Sequence, residues 1–176
     1  MRELVHDQLF DPPKGARAIV IPCLGESWDK GKTKTSPMDT GYAFIARTKW
    51  PKLHVNLGIF NWQMGAKPHP LTGDFDGTGK VQMPGGAKGL PPKYHMVSLP
   101  TRRYKEEPIN VDFLCQQLRA LALLCDGRIR WLAEGDIYLP QICDGPERPW
   151  EHWRRYAELY LPDRFVVISG KVGTTT

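Results

Sequence analysis

An α/β layered fold with a mostly parallel sheet is predicted by three features of the sequence. Apolar runs rich in Ile and Val recur along the chain, in "RAIVIPC", "YHMVSL", "DIYLPQI" and "RFVVIS". They lack the in–out alternation of a half-solvated sheet and fit strands buried on both faces. Segments with helical spacing lie between them, and proline or glycine closes most of the runs.

Taken in order, Ala16 to Cys23, between Gly15 and Gly25, reads as the first buried strand. Glu26 to Pro37 is polar and lysine-rich and reads as a mobile loop. Met38 to Trp50 reads as a short helix stopped by Pro51, with Asp39 suited to its N-cap. Leu53 to Trp62 has strand character around Val55, Leu57 and Ile59. In the glycine-rich segment 63–92, Lys80 to Met83 reads as a small strand of a hairpin. Tyr94 to Leu99 is a strand closed by Pro100, followed by the charged loop "TRRYKEEP". A helix starting at Ile109 or Asn110 runs to about Leu124: Val111, Leu114, Leu118, Leu121 and Cys125 form one apolar stripe, and Gly127 ends it. Asp136 to Ile142 is a strand, Trp150 to Leu161 a helix, and Arg164 opens the last strand.

The chain has 176 residues, which fits a single domain over 1–170 with a loose tail at 171–176. Its net charge of +5 favours anionic partners such as phosphates, nucleotides or nucleic acid. No run of 18 apolar residues is present, so no membrane span and no membrane partner are expected. The N-terminal "MRELVHDQLF" lacks the apolar run and cleavage site of a signal peptide. Cysteines 23, 115, 125 and 143 form no C-x-x-C pair, and the histidines show no ligand spacing with them. No metal or cofactor is expected, and a reducing cytoplasm is the simpler location.

In parallel sheets, ligands bind beyond the carboxyl ends of the strands. Two loops leave such ends toward a helix N-terminus: "CLGESWDKGKTKTSPMDTG" and "CDGPERPW". Unpaired helix N–H groups there offer anion donors, and Gly25, Gly41 and Gly145 allow close approach. Two ordinary capped connections are the plainer alternative. Asp39, Asp144 and Glu147 would orient a hydroxyl or a water, and Arg102, Arg103 and Lys105 follow a third strand end. Lys30, Lys32 and Lys34 would cover a phosphate or keep their loop solvated. Cys23 and Cys143 have no histidine within their loops, so no cysteine nucleophile is indicated.

Four stretches, in order, resemble the macro domain family of ADP-ribose-binding modules and ADP-ribosyl hydrolases. "RAIVIPCLG" is similar to its A-[IV]-V-N-x-x-N strand, and "SPMDTGYAFIARTKWP" to its glycine-rich segment. "YHMVSLPTRRYKEEP" resembles a PTK-containing segment of the branch that acts on nucleic acid. "DIYLPQICDGPERPWEHW" resembles the strand and G-x-G loop that follow. The resemblance covers about residues 16 to 169. It implies a three-layer α/β/α fold with a mixed, mostly parallel central sheet and ADP-ribose in a cleft over it. Cys23, Leu24, Gly25, Gly41, Arg102, Ile142, Cys143, Asp144, Gly145 and Arg148 would bind the ligand, with the diphosphate between the first loop and Cys143 to Arg148. Glu147, Arg47 and Asp39 would serve catalysis.

The departures from the family pattern fall at functional positions. Leu24 stands where the family has a ribose-facing asparagine, and leucine cannot hydrogen-bond a hydroxyl. Arg17 stands where an acid recognises adenine, and arginine only donates. Arg47 replaces a lysine, and Cys143 and Asp144 replace the first two residues of G-x-G, so either that turn is reshaped or the ligand differs. Glu147 retains an acid. Three readings follow: an ADP-ribose binder that hydrolyses the linkage to protein or nucleic acid, a non-catalytic ADP-ribose or nucleotide module, and a structural or nucleic-acid-binding domain with a degenerate pocket.

Overall fold

The computed structural model describes residues 1–5, 10–12, 15–31, 33–73, 94–129, 132, 134–142 and 149–169. Among these residues, seven strands and four α-helices follow the order β1 (Arg2–Val5), β2 (Ala16–Leu24), β3 (Trp28–Lys30), β4 (Thr33–Thr35), α1 (Gly41–Lys49), α2 (Leu53–Met64), β5 (His95–Arg102), α3 (Val111–Leu123), β6 (Asp136–Pro140), α4 (Trp150–Tyr160) and β7 (Phe165–Ser169).

Five strands form one sheet in the order β1-β7-β6-β2-β5. All four of its strand pairings are parallel, and Pro70 adds an antiparallel bridge to Val97. The period-two alternation of strand side chains divides the apolar runs between two cores. Ala18, Val20, Val97, Leu99, Ile137, Leu139, Phe165 and Val167 face the layer containing α3 and α4. Ile19, Ile21, Cys23, Met96, Tyr138, Val166 and Ile168 face the layer containing α1 and α2. Helices on both faces of the sheet make the architecture three-layered, α/β/α.

The α3 stripe behaves as its spacing predicts: Leu114, Leu118 and Leu121 are buried. Asn110 caps the helix by accepting the Phe113 N–H at 2.9 Å. Gly127 does not stop the chain at once, because α3 continues into a π-helical turn, Leu124–Arg128. The Arg164 guanidinium satisfies carbonyls released there, donating to Cys125 O at 2.9 Å and Leu132 O at 2.5 Å.

Several expectations are corrected. The strand expected over Leu53 to Trp62 is the helix α2. Its buried residues Leu53, Leu57, Gly58 and Asn61 follow helical spacing, while Ile59 is exposed. Gly65, at φ +80°, ends it by returning its N–H to Asn61 O at 3.0 Å. The loop expected over Glu26 to Pro37 holds the antiparallel β3–β4 hairpin, turning at Gly31 with φ +62°. Gly58 lets α2 approach this hairpin closely, since a Cβ there would lie 2.3 Å from the Thr35 carbonyl carbon.

Pro100 does not close its strand. β5 runs on to Arg102, and as an outer strand it tolerates a residue without an N–H. β6 stops at Pro140, two residues short of the expectation. The N-terminal residues form an exposed edge strand, β1, held in part by the Trp150 indole, which donates to Glu3 at 3.1 Å. The strand expected over Lys80 to Met83 lies outside the described residues.

Candidate functional site

β2 lies between β5 and β6, and the carboxyl ends of all three strands open on one cleft of about 410 Å³. The β2 end contributes Pro22, Cys23 and Leu24, and the start of α1 contributes Asp39 to Ala43. The opposite wall holds Thr101, Arg102 and Lys105 from β5 and its exit loop, and Gln141 and Ile142 close the β6 side.

A register shift against β5 shapes this end of β2: Cys23 pairs with Pro100, but Leu24 pairs with Arg102. The extra residue on β5 brings Arg102 level with the turn after β2. Gly25 then donates its N–H to Arg102 O at 2.8 Å, prolonging the contact between the two walls.

The turn is clamped from below by Asn61 of α2. Its Nδ2 donates to Leu24 O at 3.1 Å and to Glu26 O at 3.0 Å. Asn61 is buried and the two carbonyls are part-buried, so one amide supplies donors to both where the chain leaves β2. Ser27 Oγ donates to Gly58 O at 2.8 Å. Glu26 accepts from the Trp28 indole N–H with one oxygen and from the Lys105 backbone N–H with the other.

On the α1 side, Gly41 has φ +56°, and its missing Cβ would meet nothing within 4 Å. Its backbone conformation, rather than crowding, therefore favours glycine. Thr40 occupies the N-cap without a side-chain bond, and the first turn carries no acid. The expected Asp39 cap is thus corrected: Asp39 instead accepts from Arg47 Nη1 at 2.6 Å. The positive end of the helix is left without a carboxylate of its own first turn, which favours an anion at the cleft.

Cys23 is buried, and burial pushes its thiol up to about 12, offset only in part by a backbone hydrogen bond with Leu99. It remains a neutral thiol at physiological pH and is not an activated nucleophile.

The fold can be compared with known proteins from this geometry. No protein-family model matches the sequence, and no curated protein does. Solved structures do match. The macrodomain of Thermus aquaticus DarG is 16% identical, with a TM-score of 0.62 and 97% of each chain covered. The macrodomain of Mycobacterium tuberculosis DarG is 17% identical, with a TM-score of 0.61 and 96% of each chain covered. The chain has the macrodomain fold. A third match is Thermosipho africanus DarTG in complex with ADP-ribose, at 12% identity and a TM-score of 0.62, where 92% of this chain covers 39% of that one.

This cleft brings together Cys23, Leu24, Asp39, Gly41, Arg102, Lys105 and Ile142 of the residues singled out from sequence. Gly25 stands behind the wall, where a Cβ would lie 2.4 Å from the Ala66 Cβ. Arg47 reaches the rim through Asp39. Cys143, Asp144, Gly145, Glu147 and Arg148 lie outside the described residues. Arg103 lies over the Phe113 ring, 5.2 Å from its centroid, beside a second basin that Arg102 also lines. Lys34 pairs with Asp29 and packs 4.9 Å from the Trp62 ring centroid. Among the described residues no group of His, Cys, Asp and Glu is arranged to hold a metal, and no helix is long and apolar enough to cross a membrane.

Sequence reasoning missed Tyr42, Gln141, Glu26 and Asn61. Tyr42 and Gln141 are legible from position, since each adjoins a candidate residue, Gly41 and Ile142. Asn61 was hidden by the strand reading of its segment, which gave no reason to place an amide under the β2 turn.

Proposed function

We propose that the cleft binds ADP-ribose, free or attached to a protein or nucleic acid. The observation that carries this reading is the convergence of Arg102, Lys105 and the α1 N-terminus on one cleft at the ends of β2, β5 and β6. Two cations and the α1 N-terminus, where the lining carboxylate, Asp39, is paired with Arg47, fit a diphosphate. Pro22, Leu24 and Ile142 supply apolar surface for the sugar and base. The Thermosipho africanus protein of the same fold, solved in complex with ADP-ribose, supports the choice of ligand.

Within this reading Cys23, Leu24, Gly41, Arg102 and Ile142 bind the ligand, together with Cys143, Asp144, Gly145 and Arg148, which follow in the sequence. Gly25 acts by letting the β2 turn sit against Ala66. Hydrolysis would rest on Glu147 as the group that orients or activates the attacking water, with the Asp39–Arg47 pair at the rim as its support. A non-catalytic module is the second reading. It is favoured by Leu24, which offers no hydrogen bond to a ribose hydroxyl.

Calorimetric titration with ADP-ribose, using AMP and ADP as controls, tests the binding. Micromolar affinity confined to ADP-ribose is the expected result, and absence of heat together with absence of thermal stabilisation would sink it. Turnover of ADP-ribosylated protein or DNA that disappears in Glu147→Ala while binding persists separates the enzyme from the module.

A further inference from the structure

We propose that Glu26 is a positioning residue that holds the cationic wall of the cleft in its binding geometry. This role rests on the ADP-ribose reading of the cleft. Glu26 stands in the turn after β2, and its carboxylate joins two loops. One oxygen accepts the Lys105 backbone N–H from the β5 exit loop, and the other accepts the Trp28 indole N–H at the start of the β3–β4 hairpin.

The anchor under Glu26 is firm. Its own carbonyl accepts from Asn61 Nδ2 at 3.0 Å, and the neighbouring Gly25 N–H is bound to Arg102 O at 2.8 Å. The loop it holds is not. Residues Arg103 to Pro108 are all exposed, tied by Arg103 over the Phe113 ring and by the Glu107 N–H on Tyr104 O at 3.3 Å, and exposed loop backbone opens readily. Lys105 nevertheless lines the cleft, three residues beyond Arg102. A hydrogen bond from its backbone to a fixed carboxylate is a direct means of keeping that lysine at the wall.

A carboxylate near an anion site is otherwise a liability, because it repels phosphate. With an N–H donor on each oxygen, part of the Glu26 charge is offset by the wall itself. The two roles predict opposite outcomes. If Glu26 only repels, removing it strengthens binding of an anion; if it positions Lys105, removing it weakens binding.

The test measures ADP-ribose affinity by calorimetry and the exchange rate of the Lys105 amide by NMR, in wild type, Glu26→Ala, Glu26→Gln and Trp28→Phe. Glu26→Ala is expected to weaken ADP-ribose about tenfold and to speed Lys105 exchange, with the melting temperature little changed. Glu26→Gln keeps one acceptor oxygen and falls between Glu26→Ala and wild type. Trp28→Phe deletes the indole donor but leaves the bond to Lys105, so its affinity stays near wild type.

Unchanged or tighter binding in Glu26→Ala overturns the proposal while leaving the ligand reading intact. Slow Lys105 exchange in Glu26→Ala overturns it as well, because the loop would then be held by other contacts. A wild type that binds no ADP-ribose but protects its Lys105 amide overturns the ligand reading, and this role falls with it.

Discussion

The two helical layers of this molecule are built by different means. The layer of α3 and α4 meets the sheet mainly through apolar side chains: Leu114, Leu118, Leu121, Trp153 and Ala157 join Val20, Val97, Leu139 and Val167 in one core, with Gln117 the buried polar residue of α3. The layer of α1 and α2 mixes a smaller core with polar and backbone contacts. Asn61 binds the carbonyls of the β2 turn, Gly58 lies against Thr35, and Ser27 bonds the Gly58 carbonyl. An apolar layer fixes the sheet without directing any one loop, because hydrophobic contact has no orientation. The second layer uses directional contacts where the chain leaves β2, which is where the cleft begins.

The sharpest way to expose this difference is to damage each layer in its own currency. Trp153 is fully buried in the apolar layer. Trp153→Ala is expected to cost about 3–5 kcal/mol, read from urea denaturation with an unchanged slope. Any surviving folded fraction should bind ADP-ribose normally, because Trp153 contributes nothing to the cleft wall. A variant that kept its stability would show that the apolar layer does not carry the fold.

Gly58→Ala strikes the other layer. Its new Cβ would stand 2.3 Å from the Thr35 carbonyl carbon and 2.4 Å from the Thr35 Cα, so α2 and the hairpin must separate. The expected loss is roughly 1–3 kcal/mol, again from denaturation, accompanied by altered fluorescence from Trp28 and Trp62. Equal stability and unchanged emission would mean that the hairpin adjusts without leaving the helix.

Asn61→Leu keeps the side chain's size and removes its amide: the two Nδ2 hydrogen bonds and a buried Oδ1 that accepts none. The part-buried carbonyls of Leu24 and Glu26 each lose a donor, Leu24 O keeping Ser36 Oγ at 3.5 Å, and about 1–2 kcal/mol is the expected cost. This variant should lose ADP-ribose affinity out of proportion to its stability, since the turn it releases is part of the cleft. Wild-type affinity at reduced stability would place Asn61 in the scaffold alone.

How far the sequence reveals the molecule follows the same division. The apolar layer was legible because each of its signals has one meaning: the Leu stripe of α3 has helical period, and the Ile and Val runs of β2 and β7 lack any alternation. α2 was misread because two periods cross in it. Val55, Leu57 and Ile59 recur every second residue, as in a strand. Leu53, Leu57 and Asn61 recur every fourth, but the last of them is polar, so the stripe looks broken. Only the nearness of the β2 turn explains why an asparagine belongs on a buried face, and that nearness is a tertiary fact. The cleft was legible to the extent that strand ends locate it: Cys23, Leu24, Arg102 and Ile142 follow from where apolar runs stop. The groups that hold its walls, Glu26 and Asn61, act across more than thirty residues of chain, with contacts 79 and 35–37 positions apart. No local pattern encodes them.

The smallest expected effect comes from His69, at the margin of the polar layer. The ring stacks on Phe60 of α2 at 5.3 Å, and its Nε2 lies 3.1 Å from Gly65 O, which fits a neutral ring donating to that carbonyl. Burial holds its pKa below the ordinary histidine value; the Gly65 carbonyl opposes this, and the charge of Lys67 adds to it. The folded state therefore resists protonation more than the unfolded chain does. Its contribution is fully present above the unfolded histidine pKa, near 6.5, and is lost as pH falls from there through the lower folded value. Urea midpoints measured from about pH 8 to pH 5 in wild type and His69→Gln isolate this term from the carboxylates common to both. The wild type should lose more stability than the variant over the acid half of that range, and the two curves should run parallel above it. Parallel curves throughout would mean that the His69 ring is protonated as readily in the fold as outside it, and that the contact between α2 and the end of its loop is open to water.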